Sequence, residues 1–268
     1  MKINDILNQC TEIKREKKPV FTNYYNKYTG KDVDFDVIQE EGSIVFGIQE
    51  EFVYRIYFCS NNLTTLKSCL EKVPENSVTD WVCKGDIGEI GNIIEESNWK
   101  RYAEYVRNTV PVKKKMKKRK KTGLELLLEK RYDPDCAQPA EEDDIPALRK
   151  LMIETFDPIN SEILTEEELR ELIHQKSVWL YKVDGKICTL YIYRMEGKKR
   201  YGAMTYNCLS ADYLYNVTRK ANDISNKIHK PIAHYGWIDV NNRKIKRTLE
   251  KTDSLCWDGV KNYIFLKQ

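Results

Sequence analysis

Residues 2–17 repeat apolar side chains at helical intervals. Ile3, Ile6, Leu7, Cys10 and Ile13 fall on one stripe, which predicts an amphipathic helix. The period then changes. After a turn-rich stretch through Asn23, Asn26 and Gly30, GSIVFGI and FVYRIYFC read as two strands, and residues 49–51 between them as the turn of a hairpin. SNNLTTLKSCLEKVP predicts a short helix, with an Asn cap in front and Pro74 after its end. SVTDWVCK predicts a strand and DIGEIGNIIEESNW a short helix, while WKRYAEYVRNTV fits either.

Similar patterns return further on. Asp143 or Asp144 can cap the helix IPALRKLMIETF. Thr165 and Glu168 form a capping box in front of TEEELRELIHQ. SVWLYKVDGKICTLYIYR gives two alternating runs joined through Asp184-Gly185, a hairpin signal. RYGAMTYNC predicts a third strand, SADYLYNVTRKANDISNKIH an amphipathic helix, and PIAHYGWIDV a buried strand. NNRKIKRTLEK predicts a short basic helix, and two short strands, SLCWD and NYIFLKQ, are expected on either side of Gly259. Each half thus runs helix, hairpin, helix, a strand with a central Trp (Trp81, Trp237), short helix, closing strand. That order predicts an α/β protein built from an internal duplication.

Composition supports a packed core: 41% of the residues are hydrophobic and 11% aromatic. Charge changes the picture at one place. The stretch VKKKMKKRKKTG, residues 112–123, holds eight positive charges between Lys113 and Lys121, so with a net charge of +4 the rest of the chain carries −4. Clustered Lys and Arg suit phosphate contacts, but no aromatic side chain interleaves the run to stack on bases. We therefore expect a solvated linker between two units, with nucleic-acid association or an acidic partner as alternatives. The eight cysteines never form C-x-x-C, and several sit in strand-like runs, which predicts buried free thiols in a reducing, cytoplasmic setting rather than disulfides or zinc. No metal site and no membrane segment is expected.

The second half, from about Pro139, resembles the GNAT N-acetyltransferase superfamily. The resemblance rests on AEEDDIPALRKLMIETF, TEEELRELI, the VDGKI hairpin, and the junction WIDVNN followed by a helix and closing strands. It implies a fold class of two tandem GNAT-like α/β units, each a mixed, mostly antiparallel sheet flanked by helices. The expected domains are a degenerate unit at 1–111, a basic and acidic linker at 112–138, and an acyl-CoA-binding unit at 139–268. It also implies transfer of an acetyl or other acyl group from acyl-CoA, used as co-substrate without a metal, to an amine on a small molecule or peptide. A homodimer is left open, and no membrane partner is expected.

In that superfamily a bulged central strand leads into a loop and helix whose backbone N–H groups hold the pyrophosphate. The corresponding residues here are Asn207, Cys208, Leu209, Ser210, Ala211, Asp212 and Tyr213, with Asn242 as a contact for the acyl-CoA arm or as a helix cap. The loop departs from the usual Arg/Gln-x-x-Gly-x-Gly/Ala, having no glycine and an acid at Asp212. Where the superfamily often carries a Tyr seven residues after the junction Asn, Leu249 stands. His234 and Asp239 are the candidate bases and must face opposite sides of one strand; Tyr206 is a candidate acid, with Tyr201, Tyr213 and Tyr235 as substitutes. Those departures keep a non-catalytic acyl-CoA- or partner-binding pseudoenzyme open. A gap between RYGAMTYNC and IAHYGWID is the feature that the enzyme reading needs most.

Overall fold

The computed structural model describes every residue except Asn26, 113–120 and 252–254. The expectation of a linker or nucleic-acid site in the basic run therefore falls, apart from Lys121, outside the described residues. In chain order the elements are α1 (Ile3–Arg15), β1 (Phe21–Thr22), β2 (Asp36–Glu40), β3 (Ser43–Gln49), β4 (Tyr54–Ser60), α2 (Leu63–Glu71), β5 (Ser77–Lys84), α3 (Gly88–Glu96) and β6 (Trp99–Pro111). There follow α4 (Gly123–Lys130), β7 (Gln138–Pro139), α5 (Ile145–Thr155), α6 (Glu166–His174), β8 (Val178–Val183), β9 (Lys186–Glu196) and β10 (Lys199–Asn207). The last are α7 (Ala211–Ile228), β11 (Ala233–Asp239), α8 (Arg243–Lys251) and β12 (Trp257–Lys267).

The chain groups into two compact units. One comprises Met1–Tyr105, Pro158–Ser161 and Gly259–Gln268; the other comprises Val106–Asp157 and Glu162–Asp258. In the first unit the strand order is β2-β3-β4-β5-β12-β6, with β1 laid on β4. One face of this sheet holds α1 on Ile44, Phe46, Tyr57 and Cys59. The other holds α2 and α3 on Val45, Ile56, Phe58 and Phe265. That split is the period-2 alternation of β3 and β4 made visible.

In the second unit the order is β6-β11-β10-β9-β8-β7. Helices α5 and α6 cover Val178, Leu180, Leu190, Ile192 and Met204. Helix α7 covers Trp179, Tyr191 and Tyr193 on the opposite face. The capping box forms as expected: the Thr165 hydroxyl accepts from Glu168 N at 3.2 Å, and Glu168 accepts from Thr165 N at 3.0 Å. Asp184 (φ 50°) and Gly185 (φ 75°) make the tight turn between β8 and β9. The strands of each unit are mixed in direction: the parallel pairs β4·β5 and β10·β11 stand among antiparallel ones. The expected α/β class with a mixed sheet flanked by helices is the observed one.

One open reading is decided and two details differ from expectation. WKRYAEYVRNTV, which fitted either state, is the strand β6. The two expected closing strands are one, β12, because Gly259 (φ 81°) takes the bend without a Cβ and the pairing with β5 runs unbroken from Val260·Lys84 to Leu266·Val78. Of the thiols, Cys10, Cys59 and Cys69 are buried, but Cys208 and Cys256 are exposed. Among the described residues, no helix is long and apolar enough to cross a membrane.

Candidate functional site

Strands β10 and β11 are paired in parallel only from Lys199·Ala233 to Gly202·Gly236. Beyond that point they separate: β10 runs on to Asn207 and β11 to Asp239 without pairing to each other. The cause is visible in β10. Its register against β9 shifts between Gly202 and Met204, so Ala203 is an extra residue, a bulge that bends the strand. Over residues 203–207 the side of β10 that faces β11 makes no ladder with that strand. Glycines stand on both strands where the gap closes. A Cβ added at Gly236 would meet nothing nearer than the Gly202 carbonyl, 3.7 Å away.

The first unit opens the same way and then fills the opening with its own chain. Pairing of β4 with β5 covers only Tyr54·Ser77 and Arg55·Val78. Strand β1 then takes the free edge of β4, through Phe21·Ser60 and Thr22·Cys59. Asn23, 1% exposed, is wedged in the fork. Its amide donates to the Ile56 and Asp80 carbonyls and the Thr79 hydroxyl, and its oxygen accepts from Phe58 N at 2.8 Å. An extended ligand finds no unpaired edge there.

The helices that follow the two gapped strands differ in the same sense. At α2 the Asn62 side chain accepts from Thr64 N and Thr65 N, so the positive end of the helix is closed by its own cap. At α7 the N-cap is Ser210, whose side chain makes no capping bond. The first-turn N–H groups of this 18-residue helix have no such cap among the described residues, and they carry the partial positive charge of the helix dipole.

The expected loop residues arrange themselves around that end. Asn207 ties the loop: its Oδ1 accepts from the Thr189 hydroxyl at 2.8 Å, and its Nδ2 donates to the Leu209 and Ser210 carbonyls. Cys208 N donates to the Cys188 carbonyl at 3.0 Å, continuing the β9·β10 ladder. Ser210 and Ala211 are exposed. Asp212 is paired with Arg131 at 3.1 Å, which offsets the acid where an anion would sit. Tyr213 stacks on Tyr181, with ring centroids 4.9 Å apart, a packing position. Asn242 acts as a cap, accepting from Ile245 N at 3.1 Å at the start of α8.

His234 and Asp239 do face opposite sides, but only His234 lies at the closed end of the gap. It is opposite Arg200 in the β10·β11 pairing. Burial, and then the neighbouring Arg200 charge, hold it down at about 4, so it is neutral near pH 7. Asp239 closes the turn after β11, accepting from Asn241 N at 2.8 Å. Tyr206 packs toward the α5/α6 core, and its hydroxyl is pushed up by contact with the Cys208 thiol and by burial.

On the α5/α6 side of the same apex stand residues that carry aromatic and charged chemistry. Tyr201 and Tyr235 stack at 5.0 Å. The Arg107 guanidinium lies over Tyr235 and Trp237 and pairs with Asp258 at 2.7 Å. The Tyr235 hydroxyl donates to Glu196, and Arg194 pairs with Glu162 at 2.6 Å. Sequence reasoning passed over Arg107, Arg200, Gly202 and Gly236. The two glycines were the available signal, since glycine inside a strand marks a bulge or a close approach. Among the described residues no group of three or more His, Cys, Asp or Glu is placed to hold a metal.

Solved structures supply a comparison for this arrangement. The chain is similar in fold to a GCN5-related N-acetyltransferase from Sphaerobacter thermophilus, with a TM-score of 0.54, 8% identity, and coverage of 84% of this chain and 76% of that one. It is similar also to a GCN5-related N-acetyltransferase from Kribbella flavida, with a TM-score of 0.53, 9% identity, and coverage of 87% and 89%. No protein-family model matches the chain, and no curated protein matches it in sequence. At these identities the likeness is one of fold, and the fold is that of the GNAT acetyltransferases.

Proposed function

We propose that the chain uses its GNAT fold as an N-acyltransferase, with the second unit binding acyl-CoA and the first unit unable to. The observation that carries this reading is the contrast between the two gaps. In the second unit the edge of β10 beyond Gly202 makes no ladder with β11 and α7 begins without a side-chain cap. In the first, β1 and Asn23 occupy the fork and Asn62 closes the helix. A pantetheine arm brings amide groups that match a free strand edge, and a pyrophosphate brings negative charge that matches a helix N-terminus.

The reaction itself asks little covalent chemistry of the protein. An amine lone pair attacks the thioester carbonyl carbon, the C–S bond breaks, and coenzyme A leaves with the electron pair and takes up the proton that the amine gives up. The protein's share is orientation and donors for the carbonyl oxygen. The acyl donor reaches the apex along the gap. The amine comes from the α5/α6 side, where Tyr201, Tyr235 and Trp237 offer aromatic faces and Glu162 and Glu196 offer negative charge to an ammonium group. His234 is neutral and so in the right form to accept a proton, but Arg200 beside it disfavours the product imidazolium.

Calorimetric titration of the full chain with coenzyme A and acetyl-CoA tests the binding half. Mass spectrometry of a panel of amines incubated with acetyl-CoA tests transfer; it is preferable to a thiol dye, which would also label Cys208 and Cys256. Micromolar binding with acylated products is the expected result, and no binding of either compound would sink the reading. A second reading keeps binding without transfer. It is favoured by Leu249 at the usual position of the acid and by the Arg200 charge against His234. Tight binding with no acylated product from any amine would select it.

A further inference from the structure

Arg200 is a buried cation. It is 2% exposed, and no carboxylate among the described residues pairs with it. Its Nε and Nη1 have no hydrogen-bond partner there either. The guanidinium lies over the Tyr193 ring, 5.6 Å from its centroid, with the Tyr191 hydroxyl beside it. Across the strand pair is His234, whose Nδ1 is buried and also without a partner. From the α7 side come Ser225 and His229, with Ser225 Oγ and His229 Nε2 in the same condition. The His229 ring meets Tyr193 edge-on at 6.4 Å.

A buried, unpaired charge costs several kcal/mol, and one buried donor left without an acceptor costs roughly 1–3. Native proteins tolerate such groups where something completes them. The missing group must be an acceptor, because a guanidinium only donates, and the uncompensated charge favours an anion. A carboxylate supplies that charge and an acceptor oxygen to either donor; Nε and Nη1 point to different edges of the guanidinium, so each is met singly.

The position says where that carboxylate comes from. Arg200 is two residues before Gly202 on β10, and His234 two before Gly236 on β11, so both project from the same face just past the closed end of the gap. The spacing is roughly 7 Å. A thioester seated at the two glycines would extend its acyl chain toward Arg200. We propose that the acyl donor is the coenzyme A thioester of a short dicarboxylic acid, with its terminal carboxylate received by Arg200 and supported by Ser225 and His234. This rests on the acyl-CoA reading above and narrows its donor class.

The test is calorimetric titration of the full chain with acetyl-CoA, succinyl-CoA and free succinate. Binding of succinyl-CoA at least tenfold tighter than acetyl-CoA is expected, the usual worth of a charge-assisted hydrogen bond or more. In Arg200→Gln the ratio of the two dissociation constants should fall to about one, with Arg200→Lys between. The comparison in the unaltered protein stands even if a variant fails to fold. Equal affinities, or tighter acetyl-CoA, overturn the dicarboxylic assignment and leave the acyl-CoA reading intact. Free succinate binding as tightly as succinyl-CoA overturns the donor and leaves an isolated anion site. Binding of neither thioester overturns both readings.

Discussion

Arg200 and His234 lie directly opposite one another in the last stretch of parallel pairing between β10 and β11. Burial and the Arg200 charge lower His234 from its ordinary 6.5 to about 4. Below pH 6.5 the unfolded chain takes up a proton that the folded chain refuses. Stability from this residue is therefore whole above about pH 6.5 and falls steadily as the pH drops to 4, by on the order of 3 kcal/mol. Thermal melts between pH 4 and 8 should show that loss, and His234→Gln should flatten its upper part. An unchanged profile in the variant would remove His234 from the account.

The same pair predicts an unusual direction for a core substitution. Among the described residues Arg200 has no counter-ion, so Arg200→Met removes a buried charge while keeping a chain of comparable length. The variant should unfold at higher urea concentration than the parent when no thioester is present, by about 1–4 kcal/mol. A loss of stability instead would mean that the guanidinium is already well satisfied in the free protein.

Much of this architecture was legible from periodicity. The stripe of Ile3, Ile6, Cys10 and Ile13, the Thr165 capping box and the Asp184-Gly185 turn are local devices, and local devices announce themselves in sequence. What did not show depended on pairing at long range. Asn23 looked like an ordinary turn residue, because nothing in FTNYY tells that its amide will meet residues 33 to 57 positions away. Arg200 opens the expected strand RYGAMTYNC directly after the polar GKK, and nothing local marks it as buried; the pairing with β11 under α7 buries it. The closing strand NYIFLKQ read as a strand, but an alternating apolar run carries no record of which sheet it will join, and it joins the first unit. The passage from strand to helix near residues 207–211 is local and was legible, whereas the balance of Asp212 by Arg131 needed the fold to bring together residues 81 positions apart.

Asn23 gives a test of the filled fork in the first unit. Asn23→Ala leaves Phe58 N without its acceptor and takes a donor from the Asp80 carbonyl, the Thr79 hydroxyl and the Ile56 carbonyl, the last of which keeps the Thr79 hydroxyl. A loss of roughly 2–4 kcal/mol is expected in the unfolding of that unit. Hydrogen exchange should localise the loosening to β4 and β5. A variant as stable as the parent would mean that water replaces Asn23 at no cost.

Asp212 bears on the anion site at the start of α7. Its charge is offset by Arg131, but at 3.1 Å on a half-exposed pair the compensation is incomplete. Asp212→Asn removes a negative charge from the first turn, where charges interact with the helix dipole by about 0.3–1 kcal/mol. Coenzyme A should then bind about two- to fivefold more tightly at low salt, and Arg131→Gln should weaken it. Both effects should shrink as salt is added. Opposite signs would place the pyrophosphate elsewhere.

Gly236 tests whether a ligand reaches the end of the gap. An added Cβ meets only the Gly202 carbonyl at 3.7 Å, an ordinary contact, so the folded chain has room for a side chain there. Valine also suits an extended strand better than glycine. Gly236→Val should therefore melt no lower than the parent. Its methyl groups would nonetheless occupy the point where β10 and β11 part, and acetyl-CoA binding should weaken at least tenfold, with Gly236→Ala intermediate. If Gly236→Val binds acetyl-CoA as the parent does, the acyl group stops short of the two glycines, and Arg200 lies beyond its reach.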